Sequence, residues 1–392
     1  MQITNYSITN SPVSLADSFR QLFGQSPRLF RAPGRINLIG EHTDYNDGFV
    51  MPAAIELSCW VAIAGREDRR LAIRSQNLQE TAEVDLDQSQ PQRRKRWSDY
   101  VQGVAVELER SGRRLRGANL LIHSEVPIGS GLSSSAAMEV ASALAFLANS
   151  GAELDRLELA RLCQRAENEF VGARCGVMDQ FTACFGQAKH ALLLDCRSLE
   201  YRALPLPAGV ELVICDSGVR HEVAAGEYNT RRAQCEAGVR VLARHQPAVR
   251  ALRDATLDDL KRNRSELGDV VYRRCRHVVT ENARVLKAAE ALEQHDLREF
   301  GRLMGESHRS MRDDFEISCA ELDLLVELAG KQKGVYGARM TGGGFGGCTI
   351  NLVEAGQVAA FRKAVSQGYR EATGKTLKNY VSEAAAGAGE AG

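Results

Sequence analysis

The segment PIGSGLSSS, residues 127–135, has the composition of a loop that binds phosphate groups. Its glycines allow backbone N–H groups to approach an anion, and the long Ala-rich helical pattern behind them would add the partial positive charge of a helix N-terminus. Serine hydroxyls at such a place can also ligate Mg2+. The segment predicts a polyphosphate site, and its alternative interpretation is a Gly/Ser turn with a serine cap.

A second run of glycines lies at residues 342–347, within RMTGGGFGGCTI. Glycine loses more conformational freedom on folding than any other residue, so a run this dense is costly in a loop that has no role. We expect it to let backbone pass close to a ligand or to the first glycine loop.

The nearest approach to an ordinary P-loop is GYREATGKT, residues 368–376, in which five residues separate the glycines where the motif requires four. The segment is polar and has no strong strand before it, so we assign it to surface structure. If the protein uses ATP, it does so without a P-loop lysine.

A dense group of charged side chains follows an apolar strand in GRINLIGEHTDYNDG, residues 34–48. The group comprises Arg35, Glu41, His42, Asp44 and Asp47. Carboxylates and imidazole bond well to vicinal hydroxyls, so this turn predicts a sugar or polyol site. Two alternatives stay open, which are a Glu/His/Asp metal site and a solvated Asx-rich hairpin.

Two further carboxylates have residue types suited to phosphoryl transfer. Asp179 in RCGVMDQF stands in weakly polar company and could accept the proton of a substrate hydroxyl, although a helix N-cap is the alternative. Glu167 in QRAENEF could serve Mg2+ beside one hydroxyl and the phosphates, and its alternative is an exposed acid on a helix.

The elements that must position these segments follow from the hydrophobic patterns. Residues 28–75 predict an antiparallel, β-rich start, and helical spacing predominates from about residue 219 to about residue 330. We place a domain boundary near residue 200. The C-terminal EAAAGAGEAG is expected to be frayed.

Composition narrows the classes of partner. Fifty Lys and Arg balance fifty Asp and Glu, so no global field recruits nucleic acid or a membrane, and the short run RRKR at residues 93–96 is assigned to a solvated loop. No 18 consecutive apolar residues occur, and the start has no secretory-signal pattern. The ten cysteines are scattered without a C-x2-C pair, which predicts free thiols in the cytoplasm.

The motifs together resemble those of a known family. PIGSGLSSSAA and TGGGFGGC are similar to the central and C-terminal motifs of the GHMP small-molecule kinases. APGRINLIGEHTDYNDG resembles the N-terminal signature of galactokinases, and RCGVMDQF, NTRRAQCE and SHRSMRDDFEISCAELD resemble further galactokinase segments in the right order. The resemblance extends roughly from residue 28 to residue 350.

The resemblance implies an α+β fold of the two-domain GHMP kinase type. Residues 1–200 would form an N-terminal domain with a ribosomal-protein-S5-like mixed sheet, residues 201–392 a C-terminal α+β domain, and the active site would lie in the cleft between them. The implied reaction is ATP-dependent phosphorylation of α-D-galactose at its anomeric hydroxyl, with Mg2+, to give galactose 1-phosphate and ADP, which is the entry step of the Leloir pathway. The sequence is silent on oligomeric state, and we expect a monomer or weak dimer.

The resemblance also implies roles for individual residues. Asp179 would be the catalytic base and Arg35 would stabilise it and the developing charge. The expected binding residues are Glu41, His42, Thr43, Asp44, Gly176 and Tyr228 for the sugar, Gly129, Ser130, Gly131, Leu132, Ser133, Ser134 and Ser135 for the phosphates, Ser135 and Glu167 for Mg2+, and Ser75 and Trp97 for the nucleotide. Ser130 stands where Gly or Ala is common, which keeps the loop small.

Two alternatives to this function remain. A related sugar kinase acting on N-acetylgalactosamine or arabinose would differ only in pocket residues that the sequence does not reveal. A galactose and ATP sensor without catalysis would resemble transcriptional inducers that lose residues after the serine run, whereas SSSAA at residues 133–137 is complete here.

Overall fold

The computed structural model describes residues 12–89, 91–220 and 224–391. The N-terminal half contains helices α1 (Pro12–Phe23), α2 (Ser98–Arg110), α3 (Ser134–Ser150), α4 (Arg156–Arg165) and α5 (Met178–Phe185), and strands β1 (Arg28–Asn37), β2 (Phe49–Val50), β3 (Pro52–Gly65), β4 (Arg70–Ser75), β5 (Glu80–Asp85), β6 (Ala118–Ser124), β7 (His190–Asp195) and β8 (Tyr201–Pro205). A π-helical turn, Ala166–Val171, continues α4.

The C-terminal half contains helices α6 (Ala224–His245), α7 (Leu257–Arg262), α8 (Arg264–Glu293), α9 (Leu297–Ser310), α10 (Ala320–Gly330) and α11 (Val358–Thr373), and strands β9 (Val210–Asp216), β10 (Val335–Thr341), β11 (Cys348–Glu354), β12 (Lys378–Ser382) and β13 (Gly389–Ala391). The predicted β-rich start and the helical stretch that follows β9 are therefore confirmed.

Within the described residues the strands form three sheets. The first has the order β13-β1-β3-β6-β4-β5 and is mixed, because β4 and β6 run parallel while the other pairs are antiparallel. The second is antiparallel with the order β10-β11-β9-β12, and the third joins β2, β7 and β8.

Alternation along the strands places two apolar layers on the first sheet. Successive residues of a strand face opposite sides, so Val61 of β3 lies in the main core while Ala62 packs against α1 through Phe19. Helix α3 covers the main-core side against β1 and β3. Its many alanines let it lie close to the sheet, and it ends at Gly151 in the left-handed conformation.

The C-terminal segment, which we predicted to be frayed, forms β13 and pairs with β1 through Phe30 and Glu390. This prediction was wrong because the small residues of this segment, which carry no helix or strand signal in the sequence, allow its backbone to pack closely against the N-terminal half. A Cβ atom on Gly387 would lie only 2.5 Å from the carbonyl oxygen of Cys184, and Ala384 and Ala388 are buried. The chain thus returns to the first sheet, and the boundary near residue 200 stays a prediction.

The cysteines behave as small hydrophobes. All ten are free and seven are buried. Burial raises the pKa of thiols such as Cys59 and Cys184 to about 12, so they stay protonated at neutral pH. Among the described residues, no helix combines the length and apolar character needed to cross a membrane.

Candidate active site

A cavity of about 570 Å3 lies where the first sheet, α3, α5 and the second glycine run meet. Most predicted site residues line it, namely Arg35, Glu41, His42, Asp44, Ser75, Trp97, Gly129, Gly131, Ser133, Ser134, Ser135, Gly176, Asp179 and Tyr228. Thr43, Ser130, Leu132 and Glu167 are absent from the lining and are buried behind it. The cavity therefore brings together segments that are separated by more than three hundred residues of chain.

The first glycine loop lies directly before α3, and the N-terminus of that helix faces the cavity. Gly129 and Gly131 adopt positive φ angles of 67° and 78°, which favour glycine. Ser133 occupies the N-cap position with φ 62°, yet its side chain makes no capping hydrogen bond. Its hydroxyl is directed to Asp179 instead, with 2.5 Å between Oγ and Oδ2. The interpretation of this segment as a simple serine-capped turn is therefore wrong.

The second glycine run packs directly on the first. A Cβ atom on Gly342 would lie 2.5 Å from the carbonyl oxygen of Gly131, and one on Gly347 would lie 2.6 Å from that of Ser130. Only residues without a side chain permit this approach. The predicted contact between the two glycine loops is confirmed.

Asp179 lies in the first turn of α5 and faces the phosphate loop. The N-cap position belongs to Val177, so the N-cap interpretation of Asp179 is wrong. The Arg35 guanidinium donates to both carboxylate oxygens, with Nε–Oδ1 and Nη2–Oδ2 distances of 2.8 Å. Arg35 also donates from Nη1 to the carbonyl oxygen of Gly131 at 2.5 Å. One buried guanidinium thus connects the predicted base to the loop predicted to hold phosphates.

Helix α8 holds the turn formed by residues 40–49, which we call the sugar turn. The backbone N–H of Gly40 donates to Glu281 at 2.9 Å, and that of Phe49 donates to Asn282 at the same distance. Between them, Nε2 of His277 donates to the carbonyl oxygen of Glu41 at 3.1 Å. A helix of the C-terminal half therefore sets the shape of a turn that belongs to the N-terminal half.

Asp44 and Gly176 are in direct contact in the cavity. A Cβ atom at position 176 would lie 1.9 Å from Oδ2 of Asp44, so glycine is needed for this carboxylate to take its place. Burial, followed by the negative charge of Asp179, raises the pKa of Asp44 to about 7. Near neutral pH, Asp44 can therefore either donate or accept a hydrogen bond in the cavity.

His42 lines the cavity with both ring nitrogens already engaged. Nε2 lies 3.2 Å from the carbonyl oxygen of Gly343, which can only accept, so Nε2 carries the proton and Nδ1 accepts from the hydroxyl of Tyr45 at 2.6 Å. Burial lowers the pKa of His42 to about 3, and the ring is neutral. Its centroid lies 5.0 Å from that of Tyr228. Because both nitrogens are engaged, His42 contributes mainly the surface of its ring to the cavity wall.

Glu167 and Ser135 are in contact beside the phosphate loop, as a shared metal site requires. A hydrogen bond from Ser135 lowers the pKa of Glu167, but burial and the nearby charge of Asp179 raise it more. Behind them, Nε2 of Gln180 donates to Glu167 at 2.6 Å and to Glu139 at 3.0 Å. Glu139 is fully buried and its Oε1 has no partner. This concentration of buried carboxylates fits a nearby divalent cation.

No group of three or more His, Cys, Asp or Glu side chains suited to a metal ion occurs in the described ranges. This excludes the Glu/His/Asp metal site as an interpretation of the sugar turn within those ranges. A site with one carboxylate and one hydroxyl is instead the arrangement that Mg2+ uses when substrate phosphates complete its shell.

Ser75 and Trp97 line the end of the cavity beside the β4–β5 pair, where Glu80 is opposite Ser75 and contacts Trp97. Ser75 ends β4, and Trp97 precedes α2 with its indole N–H donating to Glu80 at 2.8 Å. Apolar side chains complete this end of the lining, including Leu78, Ile122 and Met138. This end is suited to a flat apolar group such as a purine base.

Comparison with known proteins agrees with this geometry. The chain matches the galactokinase galactose-binding signature over residues 17–65, the N-terminal domain of GHMP kinases over residues 99–187 and the C-terminal part of GHMP kinases over residues 288–371. It is 49% identical over 376 residues to a galactokinase of Roseiflexus sp. strain RS-1, and 96% of each chain is covered. The chain belongs to the galactokinase family.

Two further relatives extend the comparison. A galactokinase of Chloroflexus aggregans is 50% identical over 371 residues, which cover 94% of this chain and 95% of the relative. The crystal structure of Lactococcus lactis galactokinase complexed with galactose is 37% identical, covers 97% of this chain and 99% of its own, and superimposes with a TM-score of 0.92. The predicted resemblance, GHMP kinase fold and kinase class are confirmed.

A mevalonate kinase of Methanococcus jannaschii has 18% identity and a TM-score of 0.63, and it shares the fold alone.

The residues that support the sugar turn of this protein were not identified from its sequence. His277, Glu281 and Asn282 are polar residues in a charge-rich helix and produce no motif. Arg339, a fully buried arginine next to the second glycine run, was also missed. Its position within an otherwise apolar strand was the available signal.

Proposed function

We propose that the protein is an ATP-dependent kinase that phosphorylates α-D-galactose at its anomeric hydroxyl, giving galactose 1-phosphate and ADP. The observation that carries this proposal is the shared cavity of Asp44, Asp179 and the N-terminus of α3. Two carboxylates and a helix N-terminus line this one space, and these groups are suited to bind a hydroxyl, to accept its proton and to bind an anion. The galactose with which the Lactococcus lactis galactokinase is complexed supports the choice of sugar. This reaction is the entry step of the Leloir pathway.

The sugar would bind against the sugar turn. Asp44 and the Tyr228 hydroxyl line the cavity and can bond ring hydroxyls, while Glu41 retains lone pairs beyond those it shares with the protein. Thr43 supports the turn rather than the ligand, because its hydroxyl contacts the carbonyl oxygens of Gly40 and Phe49. Gly176 contributes by leaving room for Asp44.

ATP would lie with its base near Trp97 and its phosphates on the loop of residues 129–135. The N–H groups at the start of α3 and the hydroxyls of Ser134 and Ser135 suit the phosphate oxygens. Mg2+ held by Ser135 and Glu167 would neutralise charge on these oxygens.

In the transfer, Asp179 accepts the proton of the anomeric hydroxyl as that oxygen bonds to the γ-phosphorus. The bond between this phosphorus and the oxygen that bridges it to the β-phosphate breaks, and ADP leaves with that electron pair. The transition state of phosphoryl transfer is loose, so alignment and charge neutralisation contribute more than basicity. Arg35, bonded to Asp179 and to Gly131, is placed to align the acceptor with the phosphate loop.

The test is an ADP-release assay with galactose, N-acetylgalactosamine, arabinose and glucose, each with and without Mg2+. We expect galactose to give the highest kcat/KM and chelation of Mg2+ to abolish turnover. Faster turnover of another sugar would assign the chain to that sugar. Tight binding of galactose and ATP without ADP release would make it a sensor instead.

We also place the protein in the cytoplasm, because ten free cysteines persist best in a reducing compartment. Its interpretation as a monomer or weak dimer, with galactose and ATP as partners and neither nucleic acid nor membrane, stays a prediction.

A further inference from the structure

We propose that Arg339 is a positioning residue that links the sugar turn to the phosphate loop through Glu41. The inference rests on the proposed function, because it assigns Glu41 to the sugar and the loop of residues 129–135 to the nucleotide. It goes further by predicting that one buried side chain outside the cavity lining controls the affinity for both substrates.

Arg339 is a charged side chain completely enclosed by the protein. It lies on β10, is 0% exposed and is among the largest fully buried side chains of the described residues. Its Nη2 lies 3.5 Å from Oε1 of Glu41 and 3.2 Å from the sulfur of Met311, and Nη1 lies 3.3 Å from the carbonyl oxygen of Asn37. Its Nε has no partner. Burying a guanidinium with so few hydrogen bonds lowers the stability of the folded protein, and its presence here suggests a role beyond packing.

Glu41 joins three parts of the site. Its Oε1 accepts from the backbone N–H of Gly342 at 2.7 Å, and its Oε2 accepts from the Asn37 amide at 2.5 Å. The carboxylate is 1% exposed but forms part of the cavity lining. It therefore connects the sugar turn, the end of β1 and the second glycine run.

Gly342 passes this connection to the phosphate loop. Its backbone is packed so closely on Gly131 that a Cβ atom would lie 2.5 Å from the Gly131 carbonyl oxygen. That same oxygen accepts from Arg35, which holds Asp179. A rotation of Glu41 would free the N–H of Gly342 and remove a restraint on Gly131 and Arg35.

The charge of Arg339 keeps Glu41 in this position. Burial raises the pKa of Glu41, and Arg339 followed by Arg35 opposes this effect. Without Arg339 the carboxylate would be favoured in its protonated form or would turn towards solvent in the cavity. Either change weakens the acceptor for Gly342 and alters the polar group presented to the sugar.

The experiment compares Arg339→Met, which removes the charge, with Arg339→Lys, which retains it. Kd values for galactose alone and for ADP alone are measured by calorimetry, together with kcat, both KM values and the melting temperature. We expect Arg339→Met to weaken galactose and ADP each by about tenfold or more, and Arg339→Lys to stay within about threefold of wild type. The double variant Arg339→Met with Glu41→Gln should bind ADP only slightly more weakly than Arg339→Met alone, because the double variant no longer contains the unpaired carboxylate.

The matched control is Arg69→Met. Arg69 is partly buried, pairs with Asp87 and Glu109 and does not line the cavity, so its loss should lower stability without changing either Kd. A purely structural Arg339 would give the same result as this control, with wild-type Kd values in the folded fraction, and would overturn the proposal. Equal losses in Arg339→Lys and Arg339→Met would also overturn it, because charge would not matter.

The ADP measurement separates this inference from the proposed function. If wild-type protein does not bind galactose, the proposed sugar is wrong, yet the effect of Arg339→Met on ADP still tests the link to the phosphate loop. If galactose binds and turns over but neither Kd responds to Arg339→Met, only the positioning role fails.

Discussion

The two sides of the cavity are built in different ways. The side proposed for the phosphates, residues 127–135 and 342–347, is mostly backbone, in which glycines bring one loop onto another and the N-terminus of α3 faces the cavity. The side proposed for the sugar, residues 40–49 with Gly176 and Tyr228, presents side chains on a turn whose backbone is held by distant partners on α8. The phosphate side therefore depends on the absence of Cβ atoms at several positions, whereas the sugar side depends on buried charge together with a single glycine, Gly176. Substitutions and pH should separate the two.

The largest effect is expected at Asp179, where the two sides meet. Asp179→Asn keeps an oxygen for Arg35 but cannot accept a proton, so we expect kcat to fall by about 10²–10⁴-fold with little change in the Kd for galactose or ADP. Steady-state kinetics and calorimetry measure these quantities. Near-normal kcat would show that the proton acceptor is elsewhere, and loss of binding would assign Asp179 to the sugar side alone.

Gly176→Ala should damage only the sugar side. The added Cβ atom would displace the Asp44 carboxylate, and we expect the Kd for galactose to rise by about thirtyfold or more while the Kd for ADP is retained. Isothermal titration with each ligand measures this selectivity. Gly356→Ala is the matched control, because position 356 has open space and ordinary backbone angles. Equal losses for both ligands would show that the two sides are not separable.

Gly347→Ala should damage only the phosphate side. Its φ of 84° and its close contact with the carbonyl oxygen of Ser130 strain any other residue, so we expect about 1–3 kcal/mol of lost stability and about tenfold weaker ADP binding. Denaturant unfolding and ADP titration report the two effects, with Gly356→Ala again as the control. Unchanged ADP affinity in the folded variant would mean that the second glycine run does not shape the phosphate site.

The smallest effect is a pH dependence confined to the sugar side. The pKa of Asp44 is raised to about 7 from 3.8, so its contribution to stability is complete below pH 4 and is lost as pH rises through 7. Sugar hydroxyls prefer the ionised carboxylate, and we expect galactose affinity to increase about fivefold from pH 6 to pH 8. The rise in melting temperature caused by galactose should increase in parallel.

The control for this pH dependence is Asp44→Asn, in which the residual galactose affinity should be nearly flat over the same range. Galactose affinity that falls between pH 6 and pH 8 in the wild type would contradict the assigned role of Asp44.

The same contrast explains what could be predicted from the sequence. The phosphate side is made from contiguous small residues before a helix, so its motif and its close glycine contacts were predictable. The charges of the sugar turn were visible too, but their supports were not, because His277 and Arg339 reach the turn only through tertiary folding. His42 shows most clearly what the sequence alone cannot reveal. Its residue type predicted a hydrogen-bonding group for the sugar, but in the structure both ring nitrogens already have protein partners.

The return of the C-terminal segment to β1 gives the two halves a second connection along the chain. The polypeptide enters the second sheet from the third sheet between β8 and β9, and it leaves the second sheet for the first between β12 and β13. The second connection is fastened to β3 by the hydrogen bond from Ala385 to Ala54. Both connections contact Lys189, whose backbone N–H donates to Ala384 and whose carbonyl oxygen accepts from Leu206. We therefore expect the two halves to move about these paired connections as about a hinge when substrates enter, whereas a single connection would act as a swivel.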